Sequence, residues 1–298
     1  MTNATGTTHP DPGGRQDRVL NRESLVRDLR SLGVILGQTL LVHASLRQIG
    51  WVEGGADEVV AALRQAVGRD ATLVVPVATA DNSDTSRLYL TRTAGMAPDE
   101  IERYRDSMPP FTSERPSVGM GRIAECVRTA PGAVRSQHPQ TSFAALGPQA
   151  GLLMSDHRLD CHLGESSPLR RLYDASAWVL LMGVGYEACT CFHLAEYRYV
   201  AFPPRQVYGC VIAEQGQRQW WSYEDVVLDD RDFAALGAAF DQTGHVIRGH
   251  VGQAECRLAP IAAAVDFAAE WLQQHRTAVP ARSGVTSANP EAGVSPQQ

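Results

Sequence analysis

The chain has 298 residues, of which 44% are hydrophobic and 20% charged, values typical of a soluble globular protein with one large or two smaller domains. A chain of this length buries enough apolar surface to fold without disulfides or a structural metal. The net charge of −6, without a run of basic residues, argues against nucleic acid as the main partner, and the lack of any apolar stretch near the roughly 20 residues that cross a bilayer argues against a membrane protein.

The cysteines and the first residues predict a cytoplasmic location. Residues 1–18 contain no hydrophobic signal-peptide core. The six cysteines include no CxxC pair and no small-domain framework, so reduced thiols are expected.

The two ends of the chain differ in composition from its middle. Residues 1–17 are rich in Thr, Gly, Pro and Asp, and residues 277–298 have a similar character, so both are predicted to be disordered. Because no linker-like segment and no internal repeat lie between them, a single domain is predicted over 18–276.

The first half of this domain alternates between predicted helices and strands. Asn21 is a suitable cap for an amphipathic helix over 22–32, which Gly33 ends. Short apolar strands are predicted at 39–45 and 71–78, on either side of a second amphipathic helix. This strand–helix–strand order is typical of a parallel sheet, so the predicted fold class is α/β.

The second half contains the most regular predicted strand, WVLLMGVG, which starts at Trp178 and is apolar along its length, as in a strand buried on both faces. A helix is predicted over 189–202, ending before Pro203. Alternating segments around Gln215–Gly216 predict an antiparallel hairpin. Further helices are predicted at 122–130, 168–175 and 259–275, and a further strand at 142–147.

The turn after the strand that starts at Trp178 is the strongest candidate for an active site, because ligands of α/β proteins collect at the carboxyl edge of the sheet. His193 and Glu196 are three residues apart on the predicted helix and therefore share a face. A histidine can take a proton from an ammonium nucleophile while a carboxylate fixes its tautomer. Position alone favours a buried histidine bonded to a backbone carbonyl.

The same segment suggests a metal site as an alternative. Cys189, Cys191 and His193, together with Cys161 and His162, carry donor atoms that zinc prefers. Structural zinc sites usually combine two clusters of closely spaced ligands, and this run has no second cluster. No metal is therefore expected.

Two other segments place polar or small residues near strand ends. In SQHPQTSFAALG, a proline-stiffened turn is expected to fix His138 and expose it, although a capping or packing role fits equally well. In VHASLRQIGWVEGG, Ser45 ends a strand, and Gly50 and Gly54 precede a helix, where backbone N–H groups can approach a phosphate or a pantetheine amide. The glycine spacing matches neither a P-loop nor a Rossmann fingerprint, so a tight connection is the simpler interpretation.

Taken together, these segments resemble one family, the aminoglycoside 3-N-acetyltransferases. The resemblance extends from Asn21 to the last predicted helix. Four blocks match in order, with a weaker fifth at GHVGQAECRL (249–258): VHASLRQIGWVEGG (42–55), RSQHPQTSFAALGP (135–148), LGESSPLRRL (163–172) and LLMGVGYEACTCFHLAEYR (180–198).

The resemblance implies a single α/β domain with a central mixed sheet flanked by helices, acetyl-CoA as donor, and the 3-amino group of a deoxystreptamine aminoglycoside as acceptor. The family's T-x-x-H-x-A-E histidine falls on His193, which is therefore the implied general base. Asp225 is the expected orienter of its ring, and Glu196 is the alternative. The implied coenzyme A contacts are His43, Ala44, Ser45, Leu46, Gly50, Gly54, Arg135, Ser136 and His138.

The chain departs from the family pattern at three positions that bear on the acceptor. Tyr186 stands where many relatives have His, Cys189 where they have Asn, and Thr112 where the usual PPFD block carries a carboxylate. An N-acyltransferase of the same fold, acting on a different biosynthetic amine, is therefore the alternative function. The expected partners are coenzyme A and the aminoglycoside, with a homodimer left open and neither nucleic acid nor a membrane expected.

Overall fold

The computed structural model describes residues 20–276. Within this range the strands are β1 (Leu40–Ala44), β2 (Leu73–Pro76), β3 (Val134–Arg135), β4 (Phe143–Leu146), β5 (Trp178–Met182), β6 (Arg205–Glu214), β7 (Gln217–Val226), β8 (Ile247–Val251) and β9 (Ala254–Pro260). The α-helices there are α1 (Arg22–Leu32), α2 (Leu46–Ile49), α3 (Gly55–Val67), α4 (Arg87–Thr93), α5 (Pro98–Ser107), α6 (Gly121–Thr129), α7 (Ala150–Met154), α8 (Pro168–Asp174), α9 (Phe192–Glu196), α10 (Phe233–Phe240) and α11 (Ile261–His275).

A seven-stranded mixed sheet forms the centre of the fold, in the order β3-β4-β2-β1-β5-β9-β8. Strand β1 pairs in parallel with β2 and β5, and the other neighbours pair antiparallel. The carboxyl ends of three parallel strands therefore meet at one edge of the sheet, near Ala44, Pro76 and Met182. This confirms the predicted α/β class and the mixed sheet.

Helices cover both faces of this sheet, because its strands are apolar on both sides. Alternate residues of β1 belong to different cores: Leu40 and Val42 pack with α1, α3 and α6, whereas Leu41 packs with α8, α9 and α11. The result is a three-layer arrangement with the sheet in the middle.

The caps predicted for α1 are present. The Asn21 side chain accepts a hydrogen bond from the Ser24 backbone N–H at 3.0 Å, and Gly33 ends the helix in the left-handed region with φ 109°. Strands β6 and β7 form the predicted hairpin, a separate two-stranded sheet that turns at Gln215–Gly216.

The helix predicted over 189–202 is wrong in length. The chain instead makes a 3₁₀ turn over Tyr186–Ala188 and then the short α9, which ends at Glu196. Beyond this point the ring of Tyr197 packs against Gly164, and its hydroxyl donates to Asp225 at 2.6 Å. These tertiary contacts replace the expected helical continuation.

The segment between β2 and α6, for which no element was predicted, contains α4 and α5. These helices pack against the β6–β7 hairpin through Tyr89, Met108 and Val211. The predicted disordered ends at 1–17 and 277–298 lie outside the described residues, and the domain boundaries stay a prediction. None of the helices found in 20–276 has the length and apolar character needed to cross a membrane.

Candidate active site

His193 lies on α9, just beyond the carboxyl end of β5. Its Nδ1 is 2.6 Å from Oε2 of Glu196, and the two side chains are 14% and 0% exposed. Because the ionised carboxylate can only accept, Nδ1 carries the hydrogen and Nε2 keeps a lone pair. The ring also packs against Phe233, with centroids 4.7 Å apart. The geometry therefore presents Nε2 of His193 as a proton acceptor.

The carboxylate of Glu196 is buried but fully partnered. While Oε2 accepts from His193, Oε1 accepts from Nη1 of Arg276 at 2.6 Å and from the Asp229 backbone N–H at 2.9 Å. A buried carboxylate needs such compensation, because leaving it unpaired costs several kcal/mol.

Two cavities adjoin His193, and Asp230 also borders both. The first, which we call the edge cavity, has a volume of about 320 Å³ and lies at the carboxyl edge of the sheet. The second, which we call the hairpin cavity, has a volume of about 290 Å³ and lies between α4 and the β6–β7 hairpin. A group bound in either cavity therefore meets the same imidazole.

The edge cavity combines apolar and polar walls. Ala44, Pro76 and Ile123 contribute apolar surface, and Thr190 contributes a hydroxyl whose Oγ1 lies 3.2 Å from Nε2 of His43. Burial, and secondarily the nearby His193, lower the pKa of His43 to about 3, so this ring is neutral at physiological pH. His43 and Ala44 thus line the same cavity as His193, and their contact with coenzyme A stays a prediction.

The hairpin cavity is lined mainly by hydroxyl and amide groups, from residues that include Ser83, Thr85, Ser86, Gln140, Gln206 and Tyr208. Its charged lining among the described residues includes Asp230 and Arg87, whose Nη2 lies 2.7 Å from Oδ1 of Asp230. The carboxylate therefore already has a counterion.

The orienting role predicted for Asp225 is corrected by the structure. Its Oδ2 accepts from the backbone N–H of His162 at 2.7 Å, from Nδ1 of His162 at 3.0 Å and from the hydroxyl of Tyr197. Burial alone would raise the pKa of Asp225, but the hydrogen bonds from His162 and Tyr197 lower it below its usual value. Asp225 therefore fixes His162, which lines the hairpin cavity, and the carboxylate that bonds His193 is that of Glu196.

The side chains of Arg135, Ser136 and His138 lie in the interior and line neither cavity, and their contact with coenzyme A stays a prediction. Arg135 donates to the Val77 carbonyl at 2.8 Å, and Ser136 bonds Nδ1 of His157 at 2.9 Å. His138, predicted to be exposed, is 0% exposed, and its Nδ1 accepts backbone hydrogen bonds within its own turn. These groups stabilise the loop.

The other residues predicted to contact coenzyme A do not line the two cavities either; they are Ser45, Leu46, Gly50 and Gly54. Ser45 donates its backbone N–H to the Met182 carbonyl at 3.0 Å, and Leu46 packs against the core. Gly50 and Gly54 have φ of 99° and 77°, which favours glycine, and Gly54 borders a separate surface cavity near α1. These residues shape the turn, and their contact with coenzyme A stays a prediction.

The remaining cysteine, tyrosine and threonine side chains singled out in the sequence line neither cavity. Cys189 and Cys191 are buried, with their sulfurs 3.4 Å apart. Among residues 20–276 no group of three or more His, Cys, Asp or Glu side chains could hold a metal ion. Tyr186 is buried and donates to Asp241 at 2.7 Å, whereas Thr112 is exposed outside both cavities.

Sequence reasoning missed three residues that the structure brings to the site. Asp230 borders both cavities, Tyr208 borders the hairpin cavity, and Arg276 contacts Glu196 from 80 positions further along the chain. No local sequence pattern identifies these residues, because each is brought to the site by the folding of a distant segment of the chain.

Comparison with known proteins identifies the family. A family model described as aminoglycoside 3-N-acetyltransferase matches residues 41–273. The chain belongs to this family. Membership confirms the predicted enzyme class, an acetyl-CoA-dependent N-acetyltransferase.

Curated relatives match more than four fifths of this acetyltransferase. It is 38% identical to the SPbeta prophage-derived aminoglycoside N(3')-acetyltransferase-like protein YokD of Bacillus subtilis, over 84% of this chain and 92% of that protein. It is 35% identical to aminoglycoside N(3)-acetyltransferase VII of Streptomyces paromomycinus, over 87% and 94%.

Solved structures agree with the fold. The YokD crystal structure matches with a TM-score of 0.81 at 36% identity, covering 87% of this chain and 95% of that one. AAC-IIIb in a binary complex with CoASH matches at 0.75 and 30% identity, over 86% and 97%. A mutant of AAC(3)-IVa in complex with a gentamicin matches at 0.72 and 28% identity, over 88% and 92%.

Proposed function

We propose that this acetyltransferase transfers the acetyl group of acetyl-CoA to the 3-amino group of a deoxystreptamine aminoglycoside, with His193 as general base. The observation that carries the proposal is the position of His193, whose ring is held by Glu196 at 2.6 Å and borders two cavities at once. A two-substrate transfer needs such a shared group, because donor and acceptor must meet beside one base. Related structures in complex with CoASH and with gentamicin support these two substrates.

We assign the donor to the edge cavity and the acceptor to the hairpin cavity. The apolar lining of the edge cavity suits a thioester and its pantetheine arm, and His43 and Ala44 there match the family's donor block. The hydroxyls, amides and Asp230 of the hairpin cavity suit a polar, cationic sugar.

The reaction follows from the free Nε2 of His193. An aminoglycoside amine arrives largely as an ammonium ion, which has no lone pair for attack. His193 accepts its proton, and Glu196 stabilises the imidazolium that forms. The amine nitrogen bonds to the thioester carbon, and as the carbon–sulfur bond breaks, the imidazolium of His193 gives its proton to the leaving thiolate. The second proton of the nitrogen then passes to the freed Nε2 of His193 and on to solvent, which leaves a neutral amide and coenzyme A. A cytoplasmic location and resistance to the antibiotic stay predictions.

A different biosynthetic amine is the second candidate acceptor. The observation that favours it is the pairing of Asp230 with Arg87, which leaves the hairpin cavity poor in free negative charge. A polycationic aminoglycoside gains less from such a cavity than a smaller amine with fewer charges does. Release of coenzyme A across a panel of aminoglycosides and simple amines distinguishes the two.

Replacing the base tests the mechanism. We expect His193→Ala to lower kcat by about 10²-fold or more with the best acceptor, because a general base typically contributes this much. The measurement is the rate of coenzyme A release, with NMR of the product to locate the acetylated nitrogen. The exposed His250 provides a control, His250→Ala, which should keep wild-type turnover. Full activity of His193→Ala would exclude the assigned base.

A further inference from the structure

We infer that Arg276 is a positioning residue of the reaction, which acts on His193 through Glu196 by pairing with that buried carboxylate. The inference rests on the proposed role of His193. It adds a residue outside the segment that carries the helix α9, at the C-terminal end of α11.

The guanidinium of Arg276 is held on three sides. Its Nη1 donates to Oε1 of Glu196 at 2.6 Å, its Nε and Nη2 donate to the two oxygens of Asp232 at 2.8 and 2.7 Å, and Nη2 also donates to the Asp229 carbonyl at 2.5 Å. The side chain is 17% exposed. A planar fork fits this arrangement, whereas the single ammonium of lysine cannot reach all three partners.

A cation at this point changes the chemistry of Glu196. The carboxylate is 0% exposed, and a buried carboxylate without a counterion is destabilising. Burial would lower the pKa of Arg276, but its hydrogen bonds to Asp232 and Glu196 raise it above the usual value, so the guanidinium stays charged. Arg276 thereby compensates the buried carboxylate of Glu196, which holds the ring of His193.

The electrostatic surroundings of His193 come from several elements. Glu196 lies on the same helix as His193, and neutral His43 lies on β1. His162, whose pKa is lowered by burial, lines the hairpin cavity. Glu187 borders the edge cavity, and Asp230 borders both cavities. Arg276 is the cation in contact with Glu196, so its removal should make protonation of His193 easier.

The test measures kcat and KM of the full chain over pH, with acetyl-CoA and gentamicin or the best amine of the panel. For Arg276→Gln we expect kcat to fall about 10-fold with little change in KM. The acid limb of the kcat–pH profile should also move to higher pH by about 0.5–1 unit, which is near the lower end of the shifts that nearby charges cause. For Asp232→Asn, which removes a negative charge from the same cluster, the limb should move to lower pH. The control Arg231→Gln, whose side chain pairs with Asp229 and is 85% exposed, should match the wild type.

A double variant separates positioning from a merely structural role. In a Glu196→Gln background, Arg276→Gln should lower kcat no further, because its action passes through the carboxylate. Wild-type kcat and an unmoved acid limb in a folded Arg276→Gln protein would overturn the inference. Should that variant fail to fold, an unmoved limb in Asp232→Asn would do the same. A wild-type chain that acetylates no amine instead refutes the proposed function itself.

Discussion

At the level of single residues, charge pairing decides which groups in the two cavities are available to a substrate. The carboxylate of Glu196 accepts hydrogen bonds from His193 and Arg276. The carboxylate of Asp225 accepts hydrogen bonds from His162 and Tyr197. Asp230 differs, because its partner Arg87 has a side chain that is 83% exposed. Exposed pairs of this kind are weak, so a substrate cation competes with Arg87 for Asp230.

Removing this competitor should improve the binding of polycationic acceptors. We expect Arg87→Gln to lower KM for gentamicin about 3- to 10-fold with unchanged kcat, because it deletes one positive charge and frees Asp230. Steady-state kinetics at low ionic strength measures this change. Arg92→Gln on the same helix, whose side chain bonds Tyr104 outside the cavity, provides the control. An unchanged or higher KM would show that Arg87 does not compete for this carboxylate.

At the level of elements, the segment that carries His193 depends on close packing between short pieces of structure. Helix α10 lies against the 3₁₀ turn over Tyr186–Ala188 at Gly237, where the ring of Tyr186 occupies the space a Cβ would need. The Tyr186 ring in turn stacks on Phe192 at the start of α9, with centroids 5.8 Å apart. A glycine at this position therefore supports the placement of the helix that carries His193.

Filling that space should destabilise the protein. We expect Gly237→Ala to lower the free energy of unfolding by about 1–3 kcal/mol, the usual cost of overpacking. Urea denaturation measures the loss. In Gly151→Ala on α7, the new Cβ meets nothing within 4 Å, so this variant should be neutral or gain up to about 1 kcal/mol from helix propensity. Equal stability of the two variants would contradict the packing argument.

At the level of the whole molecule, an interior cluster of imidazoles joins the 135–148 and 157–162 segments behind the hairpin cavity. His138 stacks on His157 and packs against His162, with centroids 4.7 and 4.9 Å apart, and all three rings are buried. Burial, and then the neighbouring rings, lower the pKa of His138 well below its usual value. Burial lowers the pKa of His157 to about 4. The folded protein therefore holds these rings neutral.

This cluster predicts a loss of stability in mild acid. The unfolded chain binds a proton on each histidine below its ordinary pKa of about 6.5, whereas the folded protein does not until far lower pH. The stabilising contribution is thus complete above pH 6.5 and is lost as the pH falls toward 4. From pH 7 to 5, we expect His157 alone to account for about 2 kcal/mol.

Urea denaturation at pH 7 and pH 5 measures this loss. In His157→Gln the difference between the two pH values should shrink by about that amount, whatever the variant's stability at pH 7. In His250→Gln, which changes an exposed ring, the difference should stay at the wild-type value. An acid loss that is the same in His157→Gln as in the wild type would exclude the cluster as its source.

Local sequence patterns determined the regular elements and the centre of the site. The capped α1, the apolar β1, β2 and β5 and the β6–β7 hairpin follow from periodicity and turn residues, whose effects act over a few positions. The pairing of His193 with Glu196 follows from their three-residue spacing on a helix.

Contacts between distant segments were decided only by the tertiary structure. Four features depend on contacts between residues that no short-range pattern relates. They are the burial of His138, the hydrogen bonds of Asp225, the early end of α9 and the ion pair between Arg276 and Glu196. Their energies depend on how the whole chain excludes water and brings charges together, so they exist only once the layers have packed.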